Sequence, residues 1–204
     1  MPDTKVKIEK SGVKSALGVA SKEYVEMISF FTIANNTMIE LRTYWGGNLY
    51  NDIVSKWNRI YIIINEFIKN AGTAFNFMSD ALKAYTTSDL EAINAGKVPI
   101  PKLKGMEEKE ADTLDASTSK LRADGNTISS NLDNARGKLE VVFSKIVNAP
   151  ASSGAIDEAK NNMKSSKNKI VEGLIDVSNT VKTNITTDAD RIDGAEGAVK
   201  KAVK

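Results

Sequence analysis

The 204-residue chain carries 28 basic and 26 acidic residues, a formal net charge of +2, and contains neither cysteine nor histidine. A balanced charge gives no electrostatic basis for binding nucleic acid. The missing thiols and imidazoles exclude disulfide frameworks, Cys/His zinc sites and histidine-dependent catalytic triads. We therefore expect no enzyme activity, no cofactor and no metal.

Two long segments with helical periodicity fill the first half of the chain. Apolar residues recur at alternating spacings of three and four from Tyr24 to Trp45, and again from Tyr50 to Tyr85. This rhythm places an apolar stripe on each helix and favours pairing with a neighbouring helix. The second helix has an additional flanking stripe, formed by Tyr61, Ile68, Phe75 and Leu82. Because that stripe widens the apolar face, we expect these four residues to form the interface with a further hairpin.

The sequence Trp45-Gly46-Gly47 separates these two segments. A glycine just past a helix end can adopt the left-handed conformation that terminates the helix. Asn48 or Asn51 can cap the helix that follows. Trp45 is the last apolar residue of the first stripe, so its ring is expected to cover the turn. The pattern predicts a structural bend with a hydrophobic lid.

A second short motif, YTTSD, lies at residues 85–89. If the helix continues through this motif, Tyr85 and Asp89 are four residues apart and share one face. The overlapping Ser88-x-x-Glu91 also has the pattern of a capping box, which would end the helix and begin a short new one. In that alternative, Tyr85 is a core residue and Asp89 an acid in the first turn of the new helix.

The segment GKVPIPKLKG, residues 96–105, contains two prolines and two glycines, which break a helix. Of the aromatic residues, Phe143 is the one that lies beyond residue 100, so we expect the first half of the chain to hold the better packed core. The acidic run from Glu107 to Asp112 is expected to form the first turn of a third helix, where the helix dipole favours negative charge.

Fainter helical stripes follow the linker, from Leu114 to Ile146 and from Ile156 to Val199. The sequence NAPASSG, residues 148–154, would form the bend between them. The chain is therefore predicted to be all-α, with two long antiparallel helical hairpins packed as an elongated four-helix bundle. In this arrangement the second hairpin covers the first as a built-in pseudo-dimer. In an alternative arrangement the second hairpin stands apart as a separate rod that binds an effector.

These patterns predict four regions along the chain. They are a flexible N-terminal tail (1–14), a first hairpin (15–95), a linker (96–105) and a second hairpin with a frayed C-terminal tail (106–204). The longest apolar cluster, IYIIINEFI, is far shorter than the roughly 20 residues of a membrane-spanning helix. The basic N-terminal stretch is not followed by the apolar run of a signal peptide. We therefore expect synthesis in the cytoplasm and, if the protein is exported, a route without a cleaved leader.

The bend and the downstream motif together resemble a known family. A helix, Trp45-x-Gly47, a second helix and then Tyr85-x-x-x-Asp89 is similar to the small WXG-motif proteins of bacterial type VII (ESX) secretion. The resemblance covers residues 15–95. It implies a secreted or cell-surface protein, exported folded by the secretion machinery and its ATPase. It also implies that Trp45, Gly46 and Gly47 form the family's bend, that Trp45 has a recognition role such as docking into a secretion component, and that Tyr85 and Asp89 form the export signal.

In that family the second motif lies near the end of the chain, whereas here a second hairpin follows it. The partner that the resemblance implies is a co-secreted effector or another WXG protein, and this chain could be a virulence effector or an adaptor for one. A monomer and a homodimer are both compatible with the sequence. Two other classes stay open: a membrane-active helical toxin that inserts its apolar hairpin, and a structural coiled-coil protein.

Overall fold

The computed structural model describes residues 7–85 and 97–202. Within these residues the chain is all-α apart from two two-residue strands, and the antiparallel hairpins α1–α2 and α3–α4 form the predicted four-helix bundle. The elements in chain order are β1 (Lys7–Ile8), α1 (Lys10–Tyr44), α2 (Asn48–Tyr85), α3 (Thr118–Val147), β2 (Ala151–Ser152) and α4 (Gly154–Ala202).

The chain divides into two compact units, and each unit contains a part of every helix. Unit 1 comprises Met1–Ser29, Ile62–Lys102 and Ala135–Val171, and unit 2 comprises Phe30–Tyr61, Leu103–Asn134 and Glu172–Lys204. The compact units therefore cut across the two hairpins that the sequence suggested as separate regions. This follows from the packing, since α1 contacts α3 and α2 contacts α4.

Unit 1 has a core contributed by all four helices. Its fully buried side chains include Leu17, Tyr24, Met27, Phe67, Phe75, Met78, Leu139, Ile156 and Met163. The strands lie in this unit, where Lys7 pairs with Ser152 and Ile8 with Ala151. Residues 7–14, predicted to belong to a flexible tail, instead form β1 and the first turn of α1. The pairing with β2 at the second bend explains this difference.

Unit 2 contains the first bend and residues 103–117 of the segment that joins α2 to α3. From here on, the linker means this whole connecting segment. Its fully buried side chains include Phe31, Met38, Trp45, Tyr50, Ile53, Trp57, Leu121, Ile128, Val177 and Val181. Helices α2 and α4 are joined here by polar contacts as well. Lys56 Nζ lies 2.7 Å from Asp176 Oδ1, and Asn184 Nδ2 donates to the carbonyl oxygen of Leu49 at 2.9 Å.

The third helix begins later than the sequence predicted. The acidic run from Glu107 to Asp112 is not helical, and α3 starts at Thr118, with Ser117 Oγ accepting from the amide of Lys120 at 3.1 Å. Residue Leu114, expected in the helical stripe, forms an isolated bridge with Trp45 instead. The expectation was wrong because carbonyl oxygens in this run, which would accept the first helical hydrogen bonds, are paired elsewhere. Glu107 accepts from the hydroxyl of Tyr50 and Lys109 accepts from the amide of Gly47.

The flanking stripe of α2 is largely buried, and its role as the interface with the second hairpin stays a prediction. Ile68, Phe75 and Leu82 are buried, whereas Tyr61 is half-buried. A Cβ on Gly105 would lie 3.1 Å from Tyr61 Cζ, so the linker packs against this tyrosine.

The C-terminal stretch that was expected to fray is helical as far as Ala202. It passes through Gly194 and Gly197, where a Cβ would meet no atom within 4 Å. Within residues 7–85 and 97–202, none of the helices carries an apolar stretch long enough to cross a membrane.

Two glycines inside helices provide a matched test of the packing. At Gly173 a Cβ would lie 2.4 Å from Ile60 Cγ2, whereas at Gly137 nothing lies within 4 Å. We expect Gly137→Ala to stabilise the protein by about 1 kcal/mol, because alanine favours helix over glycine. Gly173→Ala is expected to destabilise it by about 1 kcal/mol or more, because α2 and α4 must move apart.

Urea unfolding followed by circular dichroism measures both changes. Equal stabilisation by the two substitutions would show that α4 does not approach Ile60 as closely as described.

Candidate functional site at the first bend and the linker groove

The bend between α1 and α2 is held by backbone hydrogen bonds to the linker. Gly47 has a φ of 94° and is the one residue with left-handed φ in the described part of the chain. Its amide donates to the carbonyl oxygen of Lys109 at 2.8 Å, and the amide of Gly46 donates to Thr113 at 3.0 Å. The bend is thus stabilised by distant backbone as well as by the local freedom of glycine.

Both positions also need glycine because the segment that precedes α3 lies very close to them. A Cβ on Gly46 would lie 2.4 Å from the carbonyl oxygen of Ala111, and one on Gly47 would lie 3.0 Å from Asp112 Oδ1. Any larger side chain at residue 46 would displace the linker backbone. The second glycine is therefore explained by its conformation and its neighbours, and the first by its neighbours alone.

The Trp45 ring lies inside the bundle, as expected for a residue that covers the turn. Its side chain is 0% exposed, and it packs edge-to-face on Tyr50 with ring centroids 5.8 Å apart. Its indole Nε1 donates to Asp188 Oδ2 at 2.7 Å. Tryptophan buried in this way needs a partner for its N–H, and α4 provides one.

Asp188 is a site residue that the sequence analysis missed. It is 3% exposed and also accepts from Arg191 Nε at 2.9 Å. This hydrogen bond to Asp188 raises the pKa of Arg191 above its ordinary value, and the charges of Asp188 and Asp112 act in the same direction. One signal was available: Asp188 occupies an apolar position of the α4 stripe, between Ile185 and Ile192.

A polar cleft of about 220 Å³ opens beside the bend. Its lining includes Gly47, Glu110, Asp112, Asp188 and Arg191. Within the part of the chain that the structure describes, no group of three acidic side chains is placed to hold a metal ion. Three of the charges in the cleft are engaged with one another, since Arg191 donates to Asp188 and to Asp112 Oδ1, the latter at 3.4 Å.

The larger feature of unit 2 is a groove between α1 and α2 that holds residues 103–109. We call it the linker groove, and its polar lining consists of Asn35, Tyr50, Asn51, Trp57 and Asn58.

Two asparagines of the linker groove each pair with both backbone groups of one linker residue. Asn35 Oδ1 accepts from the amide of Lys104 at 2.8 Å, and its Nδ2 donates to the carbonyl oxygen of the same residue at 2.9 Å. Asn58 makes the same two bonds with Met106, at 2.8 and 2.9 Å. A carboxamide satisfies the donor and the acceptor of an extended residue in this way, as a neighbouring strand would.

Three further side chains complete the backbone pairing. Trp57 Nε1 donates to the carbonyl oxygen of Lys104 at 2.9 Å. The hydroxyl of Tyr50 donates to the carbonyl oxygen of Glu107 at 3.0 Å, and Asn51 Oδ1 accepts from the amide of Lys109 at 2.9 Å. Burial raises the pKa of Tyr50 to about 12.

Unit 1 holds its own part of the linker by the same chemistry. Asn76 Oδ1 accepts from the amide of Val98 at 2.9 Å, and Asn76 Nδ2 donates to its carbonyl oxygen at 3.4 Å. The hydroxyl of Tyr24 lies 2.9 Å from the carbonyl oxygen of Pro99 and 3.1 Å from that of Ile68. Burial raises the pKa of Tyr24 as well. The linker is thus bound along its backbone in each unit.

The predicted export motif cannot be placed. Asp89 lies outside the described residues. Tyr85 is the last residue of α2, and its side chain also lies outside the described part. The pairing of these two residues stays a prediction, as does the alternative capping box.

Comparison with known proteins adds no relative. Neither the family models, nor the curated proteins, nor the solved structures gave a match to this chain. The resemblance to WXG-motif proteins therefore remains a prediction from the two sequence motifs.

The Trp45–Asp188 hydrogen bond can be tested by removing its acceptor. We expect Asp188→Ala to lower the free energy of unfolding by about 2 kcal/mol, because the buried indole N–H of Trp45 is left without a partner. Asp190→Ala is the matched control, since Asp190 is exposed and pairs with Arg122 at the surface, where ion pairs contribute little. Urea unfolding measures both, and equal effects would contradict the role of Asp188.

The buried tyrosines predict a loss of stability at alkaline pH. The folded chain raises the pKa of Tyr50 to about 12, whereas an unfolded tyrosine has a pKa of about 10. The neutral phenol is favoured by folding, so its contribution is complete below pH 10 and is lost as the pH rises through 12. We expect the urea midpoint to fall over this interval. The Tyr50→Phe variant should fall less steeply, and an unchanged slope would contradict the assignment.

Proposed function

We propose that this chain is a substrate or partner protein of a bacterial type VII (ESX) secretion system, and that it acts by binding proteins and not as an enzyme. The observation that carries the proposal is the bend. Helices of 35 and 38 residues are separated by Trp45-Gly46-Gly47, with Gly47 in the left-handed conformation. That arrangement is the helix–WxG–helix on which the sequence resemblance rests.

The burial of Trp45 affects how the proposal assigns roles. A ring that is 0% exposed and hydrogen-bonded to α4 supports a structural role for the bend. In our proposal, recognition by the secretion ATPase depends on Tyr85 and Asp89, while Trp45, Gly46 and Gly47 shape the bend between α1 and α2.

The second hairpin supports a further part of the proposal. Members of the family pair their hairpins into four-helix bundles, and here α3 and α4 supply the second pair of helices within one chain. The protein would then enter the secretion route as a bundle already complete, without a separate WXG partner. Its binding target would be a co-secreted effector or a component of the machinery.

Export by a bacterium with an active type VII system tests the proposal. We expect Tyr85→Ala and Asp89→Ala each to reduce the secreted fraction at least tenfold, with little change in the melting temperature. Thr87→Ala is the matched control, since it alters the motif between the two residues and should be exported normally. Deletion of the secretion ATPase should retain all variants in the cell.

Two results would count against this function. Secretion of the wild type without the ATPase would exclude the route. Unfolding of the Tyr85→Ala protein would favour the alternative in which Tyr85 is a core residue.

A further inference from the structure

We propose that the linker groove is a binding site for extended peptides of a partner protein, with residues 103–109 as its resident occupant. The favoured peptide has five positions that correspond to residues 103–107. They are an apolar residue, any residue, glycine, an apolar residue and an acid. The inference concerns a site in unit 2 and does not depend on the proposed secretion function.

The first reason is that the groove recognises backbone. Asn35 pairs with both backbone groups of Lys104, and Asn58 with both of Met106. Trp57 Nε1 also donates to the carbonyl oxygen of Lys104. These five hydrogen bonds all go to the linker backbone, and none goes to a linker side chain. Main-chain pairing of this kind supplies affinity in sites that bind extended peptides, and it accepts any sequence able to adopt the conformation.

The second reason is that side-chain selection is confined to a few positions. Leu103 and Met106 are 6% and 7% exposed, whereas the side chain of Lys104 faces solvent. Between them, a Cβ on Gly105 would lie 3.1 Å from Tyr61 Cζ and 3.2 Å from Asn58 Oδ1. The groove therefore requires apolar residues at the first and fourth positions and disfavours a side chain at the third.

The preference for an acid at the fifth position follows from the positive charge of Arg42. Arg42 lies 3.2 Å from the Glu107 carboxylate, and its Nε donates to the carbonyl oxygen of Glu108 at 3.3 Å. This contact is exposed and adds selectivity more than affinity.

The third reason is that the resident segment does not fill the groove. A cavity of about 380 Å³ lies beside Met106, and its lining includes Ile39, Thr43 and Tyr50. A larger apolar side chain at the position of Met106 has room to enter it. A partner peptide with phenylalanine there should bind more tightly than the resident sequence.

The resident segment is covalently attached, which gives it a local concentration on the order of millimolar. A free peptide must compete with that concentration, so the intact protein should bind one only weakly. Weakening the resident segment without altering the groove should reveal the site.

Lys104 offers a matched pair of variants for this purpose. Lys104→Pro removes the N–H that Asn35 Oδ1 accepts, whereas Lys104→Ala keeps it and changes only a solvent-facing side chain. The probe is a fluorescein-labelled peptide, PKLKGMEEKE, which repeats residues 101–110. Fluorescence anisotropy measures its binding to the full-length proteins. A second peptide, N-methylated at its second lysine, lacks the same N–H.

We expect Lys104→Pro to bind the peptide at least tenfold more tightly than the wild type or Lys104→Ala, because the peptide restores the lost hydrogen bond. The N-methylated peptide should lose this gain, and adding Asn58→Ala to Lys104→Pro should reduce binding. A phenylalanine in place of the peptide's methionine should increase it.

A folded Lys104→Pro protein that does not bind the peptide at millimolar concentration would overturn the proposal. Dimerisation of that variant without peptide binding would also overturn it, since the groove would then accept the segment of a second copy. If Lys104→Pro does not fold, NMR of the wild type decides. Millimolar peptide should shift the side-chain amide resonances of Asn35 and Asn58, and unshifted resonances would reject the site.

Discussion

Between α2 and α3 the linker backbone is paired by asparagine side chains of the helices it lies against, and the arrangement of the bend depends on this pairing. Backbone groups removed from water must find hydrogen-bond partners, and an extended segment cannot supply its own. Asn35 and Asn58 supply them in unit 2, and Asn76 does so in unit 1. Once residues 104 and 106 are held in this way, the segment from 109 to 113 reaches the bend.

At the bend, the close contact with residues 109–113 restricts positions 46 and 47 to glycine. The carbonyl oxygens of Lys109 and Thr113 accept from the amides of Gly47 and Gly46. The approach is so close that a side chain on Gly46 would meet the backbone of Ala111. The paired glycines therefore serve both the reversal of the chain and its contact with the linker. A WxG sequence can arise for packing reasons as well as for recognition.

The functional proposal and the groove proposal rest on different parts of the chain. The former depends on the resemblance carried by Trp45-Gly46-Gly47 and by Tyr85 with Asp89. The latter depends on contacts between the linker and the first hairpin. Both describe a binding protein, and a groove for extended segments would give an exported bundle a way to engage a partner. Neither requires the other, so each can fail alone.

The sequence by itself determined the helices and the first bend. The three-four spacing from Tyr24 to Tyr85 is set by the geometry of a single helix, and Gly46-Gly47 interrupt it locally, so both could be found within short windows. The acidic run from Glu107 to Asp112 suggested a helix start for the same reason, because its charge suits one when only neighbours along the chain are considered.

Tertiary structure decided how the linker is held and what Trp45 bonds to. Asn35 and Lys104 are 69 residues apart in the chain, and Trp45 and Asp188 are 143 apart. Nothing in the sequence around a helical asparagine indicates that it will pair with the backbone of a distant segment. The pairing forms only when two helices pack against the same stretch of chain. Asp188 left one local trace, a charge in an apolar stripe, but its partner became identifiable only when α4 was packed beside the bend.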